Sequence, residues 1–117
     1  MKQSPIFIKY YDLMLWLIPR TLAFPKSQRG VLARQIQSEL FHIYELLVEA
    51  GTHEQPRPFL SDVDRGLIRL RTYLRLAREL KLLSIGQYEH VARLVAEVGR
   101  LLGGWIKSEA ERQSSTQ

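Results

Sequence analysis

Three arginines in the second half of the chain have the residue type and the spacing to bind phosphate. Arg71, Arg75 and Arg78 are four and three residues apart, so they project from one side of a helix. The guanidinium group is planar and donates paired hydrogen bonds to phosphate or carboxylate oxygens. We call these three residues the basic ridge, and its pattern predicts a surface that binds an anionic partner.

Other positive residues lie near the basic ridge, and the overall charge has the same sign. The remaining candidates for contact with nucleic acid or a partner are Arg65, Arg69, Lys81, Arg93 and Arg100. Residues 60–107 hold nine Lys and Arg against five acidic residues, a net charge of +4, and the whole chain carries +5. A basic balance favours association with phosphate backbones or acidic surfaces. The alternative is a solvated face that only keeps the protein soluble.

The chain shows no constellation of residues for catalysis or metal binding. Its histidines, His42, His53 and His90, have no histidine partner four residues away, so the usual zinc spacing is missing. Cysteine is absent, which excludes disulfides and thiolate metal sites. We therefore expect no catalytic residue, no metal, no cofactor and no enzymatic activity.

The elements that must position these arginines are helices. Apolar residues recur at intervals of three and four, as on one face of a helix. They predict four helices, over residues 5–22, 28–50, 62–82 and 85–108. Pro19 is expected to kink or end the first of them, and residues 52–59 should form the longest loop. The prediction is an all-α, antiparallel four-helix bundle over residues 1–108, followed by a flexible polar tail over 109–117.

Residues that favour helix ends accompany these ranges. Ser27 and Ser61 are predicted N-caps for the second and third helices. Ser84 followed by Gln87 predicts a capping box at the start of the fourth helix. Gly51 is predicted to close the second helix.

The last two helices carry more apolar and small residues than one core stripe requires. In the third helix the core stripe is predicted to be Val63, Leu67, Leu70, Leu74 and Ala77. Further candidates for subunit contacts or for close packing are Tyr73, Leu76, Leu80, Gly99, Gly103 and Trp105. A glycine inside a helix costs about 1 kcal/mol relative to alanine, so a close neighbour is expected there. These residues predict either a homo-oligomer or a broad core within one bundle.

The start of the chain contains no targeting or membrane signal. Its longest apolar run, residues 13–18, is too short for a secretory signal and far from the roughly 20 residues of a spanning helix. We therefore expect a soluble, cytoplasmic protein without a membrane partner.

Four stretches, read together, are typical of one protein family. They are YDLMLWL at 11–17, FPKSQR at 24–29, LRTYLRLA at 70–77 and EVGRLLGGWI at 97–106. In these stretches the chain resembles the accessory variability determinant (Avd) proteins of diversity-generating retroelements. The last stretch is the most specific, because three helix-interior glycines beside a tryptophan are rare by chance. The family is similar to four-helix proteins encoded in intervening sequences of bacterial rRNA genes.

The resemblance implies a four-helix bundle assembled into a basic, barrel-like homopentamer. It also implies a non-catalytic partner of the retroelement's reverse transcriptase that binds template RNA or cDNA and supports mutagenic reverse transcription. By this analogy the basic contacts are Arg69, Arg71, Arg75, Arg78 and Arg100. Residues 55–58 depart from the family pattern, and we expect them to shorten the start of the third helix. The alternative is a scaffold of the intervening-sequence type that does not bind nucleic acid.

Overall fold

Four helices packed side by side form the structure. The computed structural model describes residues 4–115, apart from the side chains of Ser4, Gln28 and Arg29. Helix α1 is Ser4–Leu22, and α2 consists of an α-helical turn Lys26–Gln28, a π-helical segment Arg29–Ala33 and an α-helix Arg34–Thr52. Helix α3 is Arg57–Glu79, and α4 is Ile85–Ser115. No strand occurs within the described range, so the predicted all-α four-helix bundle is confirmed.

The helices run back and forth along one long axis. The molecule measures 54 × 24 × 21 Å. Because helices rise about 1.5 Å per residue, two consecutive helices placed end to end would exceed the longest dimension. The chain must therefore reverse direction between them. Helix α1 packs against α4 and α2, and α3 packs against α2 and α4. This order places α1 and α2 on one side of the bundle and α3 and α4 on the other.

The predicted core stripe of α3 is confirmed, because all five of its residues are buried. Tyr10 of α1 is buried as well, and its hydroxyl donates a hydrogen bond of 2.5 Å to the carbonyl oxygen of Leu40 on α2. Burial, and secondarily the nearby charge of Glu39, raises the pKa of Tyr10 well above its ordinary value. The phenol therefore stays neutral and ties α1 to α2. None of the described helices is long and apolar enough to cross a membrane.

Helix α1 confirms its predicted range of 5–22 to within one residue, whereas α2 corrects the predicted boundaries of the second helix. Helix α1 continues through Pro19 to its end at Leu22. Ser27 is not an N-cap, because it lies within the first turn of α2, before a π-helical segment that the sequence pattern did not predict. Gly51 does not close α2, which runs to Thr52. The Thr52 hydroxyl extends the last turn by donating to the carbonyl oxygen of Val48 at 3.0 Å.

Helix α3 begins earlier than predicted, at Arg57 instead of residue 62. Ser61 lies inside the helix and is not its N-cap; Pro56 holds that position. Pro58 lies in the first turn, where the missing N–H of proline is tolerated. The two prolines thus start the helix, and the predicted shortening and the long loop over 52–59 are wrong, since residues 53–56 alone connect the helices.

Helix α3 ends at Glu79, earlier than the predicted 82, in a compact C-terminal cap. Lys81 adopts the left-handed conformation with a φ of 62°. Its N–H donates to the carbonyl oxygen of Arg78 at 2.9 Å, and the Leu82 N–H donates to that of Ala77 at 2.8 Å. This pattern is the Schellman motif, and a non-glycine residue at that position costs roughly 1–2 kcal/mol.

Helix α4 starts as predicted and ends later. The capping box is confirmed, because the Gln87 N–H donates to Ser84 Oγ at 3.1 Å and the Ser84 N–H donates to Gln87 Oε1 at 3.0 Å. The helix continues past the predicted end at residue 108 to Ser115. Arg112 anchors this extension by donating to the buried Glu109 at 2.6 Å and to the Glu54 carbonyl oxygen at 3.3 Å. Residues 116 and 117 of the predicted tail lie outside the described residues.

Candidate nucleic-acid interface

The basic ridge lies on the outer surface of α3, on the side of the bundle shared with α4. Because α3 directs Leu70, Leu74 and Ala77 into the core, the three arginines of the ridge are left exposed. None of them forms an ion pair within 4.0 Å with any side chain that the structure describes. The positive charge of the ridge is therefore available to an external anion.

Arg71 reaches across to α4, where a glycine makes room for it. Its Nη2 lies only 2.8 Å from the position that a Cβ on Gly99 would occupy. At Gly103, one turn further along, no described atom lies within 4 Å of that position. The close neighbour that the sequence predicted at Gly99 is thus a guanidinium of the same chain, whereas Gly103 faces open space.

Arg78 is also held against α4. Its Cζ lies 5.0 Å from the ring centroid of Tyr88, within the range of a cation–π interaction. Tyr88 is half-buried and, with Arg71, Leu74, Ala92 and Val95, lines a crevice of about 110 Å³. Two of the three ridge arginines therefore lie beside one aromatic ring in the groove between α3 and α4.

Arg69 has a different environment, because a buried carboxylate binds it. Its Nε donates to Glu39 Oε1 at 2.7 Å and its Nη2 to Oε2 at 3.2 Å. The hydrogen bonds from Arg69 to Glu39, more than any other cause, raise the pKa of Arg69. Gly66 makes room for this pair, since a Cβ there would lie 2.6 Å from Ile43 Cγ1 and 3.2 Å from Glu39 Oε2. Sequence reasoning missed both Glu39 and Gly66.

The other predicted basic contacts fall into two groups. Arg65 pairs with Asp62 at 2.9 Å and Arg100 with Glu97 at 2.6 Å, both on the surface. Lys81 and Arg93 are exposed, and neither forms an ion pair with a described side chain. The structure thus brings the ridge and Lys81 together along the end of α3 and provides Arg65, Arg69 and Arg100 with internal counter-charges. The role of all eight in binding stays a prediction.

The residues predicted for subunit contact or close packing also divide. Trp105 is buried, and its ring lies 6.4 Å from that of Phe7, which is close packing within one bundle. Tyr73 is half-buried, and its hydroxyl accepts a hydrogen bond from Gln35 Nε2 at 3.4 Å. Leu76 and Leu80 are 46% and 48% exposed, so they remain candidates for subunit contact.

Most of the chain matches one protein family. A family model described as bAvd-like matches residues 6–109, which include parts of all four helices and the whole basic ridge. The chain belongs to the bAvd-like family. It is accordingly an Avd-type accessory protein. No curated protein matches the chain significantly.

The opposite side of this bAvd-like protein carries an apolar surface that the sequence analysis missed. Seven large apolar side chains are exposed there, and we call them the apolar face: Ile8, Tyr11, Leu15, Leu22, Phe41, Tyr44 and Val48. The two contributing helices adjoin, because the Tyr44 ring of α2 stacks on that of Tyr10 at 6.5 Å. Spacings of three, four and seven residues in both helices are the signal that could have revealed it.

The described residues of this bAvd-like protein include no group of three or more His, Asp or Glu side chains arranged to hold a metal ion. Glu39 and His42 have the Glu-x-x-His spacing of ligands in di-iron bundles, a pair that the sequence analysis overlooked. Glu39 is bound by Arg69, however, and His42 is exposed. The pair therefore does not converge on a common site.

Proposed function

We propose that this Avd-type protein is a non-catalytic accessory of a diversity-generating retroelement. In this proposal the basic ridge binds template RNA or cDNA and the reverse transcriptase, and the polymerase chemistry belongs to that enzyme. The observation that carries the proposal is the set of three exposed arginines without ion-pair partners among the described side chains. Family membership supplies the retroelement context.

The geometry of the basic ridge suits a phosphate backbone. Arg71 and Arg78 are separated by about 10 Å along α3, at 1.5 Å per residue, with Arg75 between them. The helix keeps these charges in one row, so less conformational freedom is lost when they bind than on a flexible loop. Phosphates neutralised by arginine release their condensed counterions, which drives association at low salt.

The apolar face supports self-association of this protein. Each large apolar side chain removed from water contributes roughly 1.5–3 kcal/mol when fully buried, and contiguous exposed apolar surface marks interaction sites. In a closed ring each chain contacts its two neighbours through two different surfaces; the apolar face would be one of them, and the α3–α4 side would stay free. The resemblance to Avd proteins favours a homopentamer, in which the ridge would be repeated around the ring and its potential would add.

A scaffold that assembles but does not bind nucleic acid is the second candidate function. Its support is the internal neutralisation of Arg65, Arg69 and Arg100 by carboxylates, which reduces the positive potential outside the basic ridge. In that case the apolar face would mediate assembly and the ridge would contact an acidic protein surface. The two candidates differ in whether the protein binds RNA.

A titration with RNA at rising salt distinguishes them. If the protein neutralises Z phosphates, the logarithm of the binding constant falls with the logarithm of salt with a slope of about −0.9Z for duplex and about −0.7Z for single strands. Replacing Arg71, Arg75 and Arg78 by Glu should abolish binding while the helical circular dichroism signal is kept. No binding by the unmodified protein, or a slope near zero, would contradict nucleic-acid binding and favour the scaffold.

The reverse transcriptase is tested separately. Co-expression with the reverse transcriptase of a diversity-generating retroelement from the same genome should yield a complex that survives size-exclusion chromatography after nuclease treatment. A complex that disappears with the RNA would mean that the two proteins are bridged by nucleic acid only.

A further inference from the structure

We propose that Arg78, supported by the ring of Tyr88, is a stacking platform for one unpaired nucleobase. This inference rests on the proposed function and deepens it, because it assigns a preference for single-stranded over duplex nucleic acid. The observation is the guanidinium of Arg78 over the Tyr88 ring, with Cζ 5.0 Å from the centroid.

The inner side of the Arg78 guanidinium is occupied and its outer side is free. Tyr88 is half-buried in the α3–α4 groove, so its position is fixed by the bundle. Arg78 is exposed, and no described carboxylate lies within ion-pair distance of it. A guanidinium plane held in this way can stack on a nucleobase, as arginine planes do in proteins that bind single-stranded RNA.

The neighbouring arginines can bind the phosphates that adjoin a nucleobase stacked on Arg78. Arg75 precedes Arg78 by about 4.5 Å along the helix axis, and Arg71 by about 10 Å. Arg71 lines the same crevice as Tyr88. One strand running along α3 can therefore place a base on Arg78 and its adjoining phosphates on Arg75 and Arg71.

A duplex cannot use this platform. Its bases are stacked on one another, so an external guanidinium plane reaches only phosphates and groove edges. All three arginines of the basic ridge still bind duplex phosphates, but without the stacking contribution. The proposal therefore predicts that the stacking geometry of Arg78 matters for single strands and that only its charge matters for duplex.

Two lysine substitutions in the full-length protein test this. Lysine keeps the charge and loses the plane. Binding is measured with a 20-nucleotide oligouridine and with its duplex with oligoadenine. Arg78→Lys should weaken oligouridine binding about 5-fold or more and duplex binding much less. Arg75→Lys is the matched comparison, because Arg75 has no described aromatic partner and contacts only phosphate in this proposal, so it should weaken oligouridine and duplex binding to the same small extent.

Variants of Tyr88 test the stacking platform independently of any change to Arg78. Tyr88→Phe keeps the ring and should preserve both affinities, whereas Tyr88→Leu fills the crevice without a ring and should weaken oligouridine binding only. Equal effects of Arg78→Lys and Arg75→Lys on oligouridine, with salt-dependent binding intact, would overturn the stacking platform and leave the proposed function standing. Failure of the unmodified protein to bind either probe would instead overturn the proposed function itself.

Discussion

The two long sides of this bundle are built from the same helical repeat and carry opposite chemistry. On the α3–α4 side, the positions beside the core stripe hold the arginines of the basic ridge. On the α1–α2 side, the exposed positions outside the core stripes hold the large apolar residues of the apolar face, including Ile8 and Leu15, each 60% exposed. The residues outside a core stripe, more than the stripe itself, thus set what each side can bind.

The two sides also differ in the force that would bring a partner to them. Exposed arginines are well hydrated and attract anions over roughly a Debye length, about 8 Å at physiological salt. Exposed apolar residues gain by leaving water, with no dependence on charge. We therefore expect salt to weaken what binds the ridge and to leave assembly through the apolar face largely unaffected.

The largest expected effect comes from placing charge on the apolar face. Replacing Leu15 and Phe41 together by Glu should dissociate the assembly to the 13.6 kDa monomer, because two buried carboxylates without partners would cost several kcal/mol. Light scattering coupled to size exclusion measures the mass. RNA binding should persist but weaken, because a monomer loses the avidity of repeated ridges.

The matched control for this variant lies on α3. Leu76→Glu with Leu80→Glu alters the two exposed α3 residues that remain candidates for subunit contact. In the proposed assembly the α3–α4 side faces no neighbouring copy, so this variant should leave the mass unchanged. If this pair dissociates the assembly and the Leu15 and Phe41 pair does not, the roles assigned to the two sides are reversed.

A smaller effect, on stability, is expected from a substitution at Gly66, where α2 and α3 pack together. Gly66→Ala should lower the free energy of unfolding by about 1–3 kcal/mol, because the new Cβ would lie 2.6 Å from Ile43 Cγ1. Urea denaturation followed by circular dichroism measures it. Gly86→Ala is the control, because the added Cβ has no described atom within 4 Å apart from the adjacent residues and the local helix backbone. Unchanged stability of Gly66→Ala would show that α2 and α3 tolerate separation at this point.

The smallest effect separates two of the glycines of α4, Gly99 and Gly103. Gly99→Ala and Gly103→Ala should each stabilise the helix by up to about 1 kcal/mol relative to glycine. Only Gly99→Ala should also weaken RNA binding, by a few-fold, because its Cβ displaces the Arg71 guanidinium. Equal RNA affinities of the two variants would mean that the position of Arg71 over Gly99 does not matter for binding.

Local features of this molecule could be predicted from its sequence, and long-range ones could not. The core stripe of α3 and the Ser84–Gln87 capping box follow from spacings of three and four residues. The start of α3 was missed because Pro56 and Pro58 suit a loop and a first helical turn equally well.

The candidate site shows the same limit. Spacing alone predicted the row of Arg71, Arg75 and Arg78. Arg69 was also a candidate contact on the basis of the sequence. Arg69 forms an ion pair with Glu39, whereas the basic ridge forms none with a described carboxylate. This difference depends on which faces of α2 and α3 pack together. The pairs of Arg65 and Arg100 are local, with carboxylates three residues away in the sequence, whereas the neutralisation of Arg69 depends on the packing of two helices.

The salt dependence of RNA binding in two charge-matched variants tests the central claim most directly. Arg71→Gln with Arg75→Gln removes two unpaired charges from the basic ridge, and Arg65→Gln with Arg100→Gln removes two that are paired with carboxylates. On single-stranded RNA the first should reduce the steepness of the log–log slope by about 1.4, or 0.7 per lost phosphate contact, and the second should leave it nearly unchanged. Equal reductions in the two variants would contradict the claim that the unneutralised arginines of α3 form the binding surface.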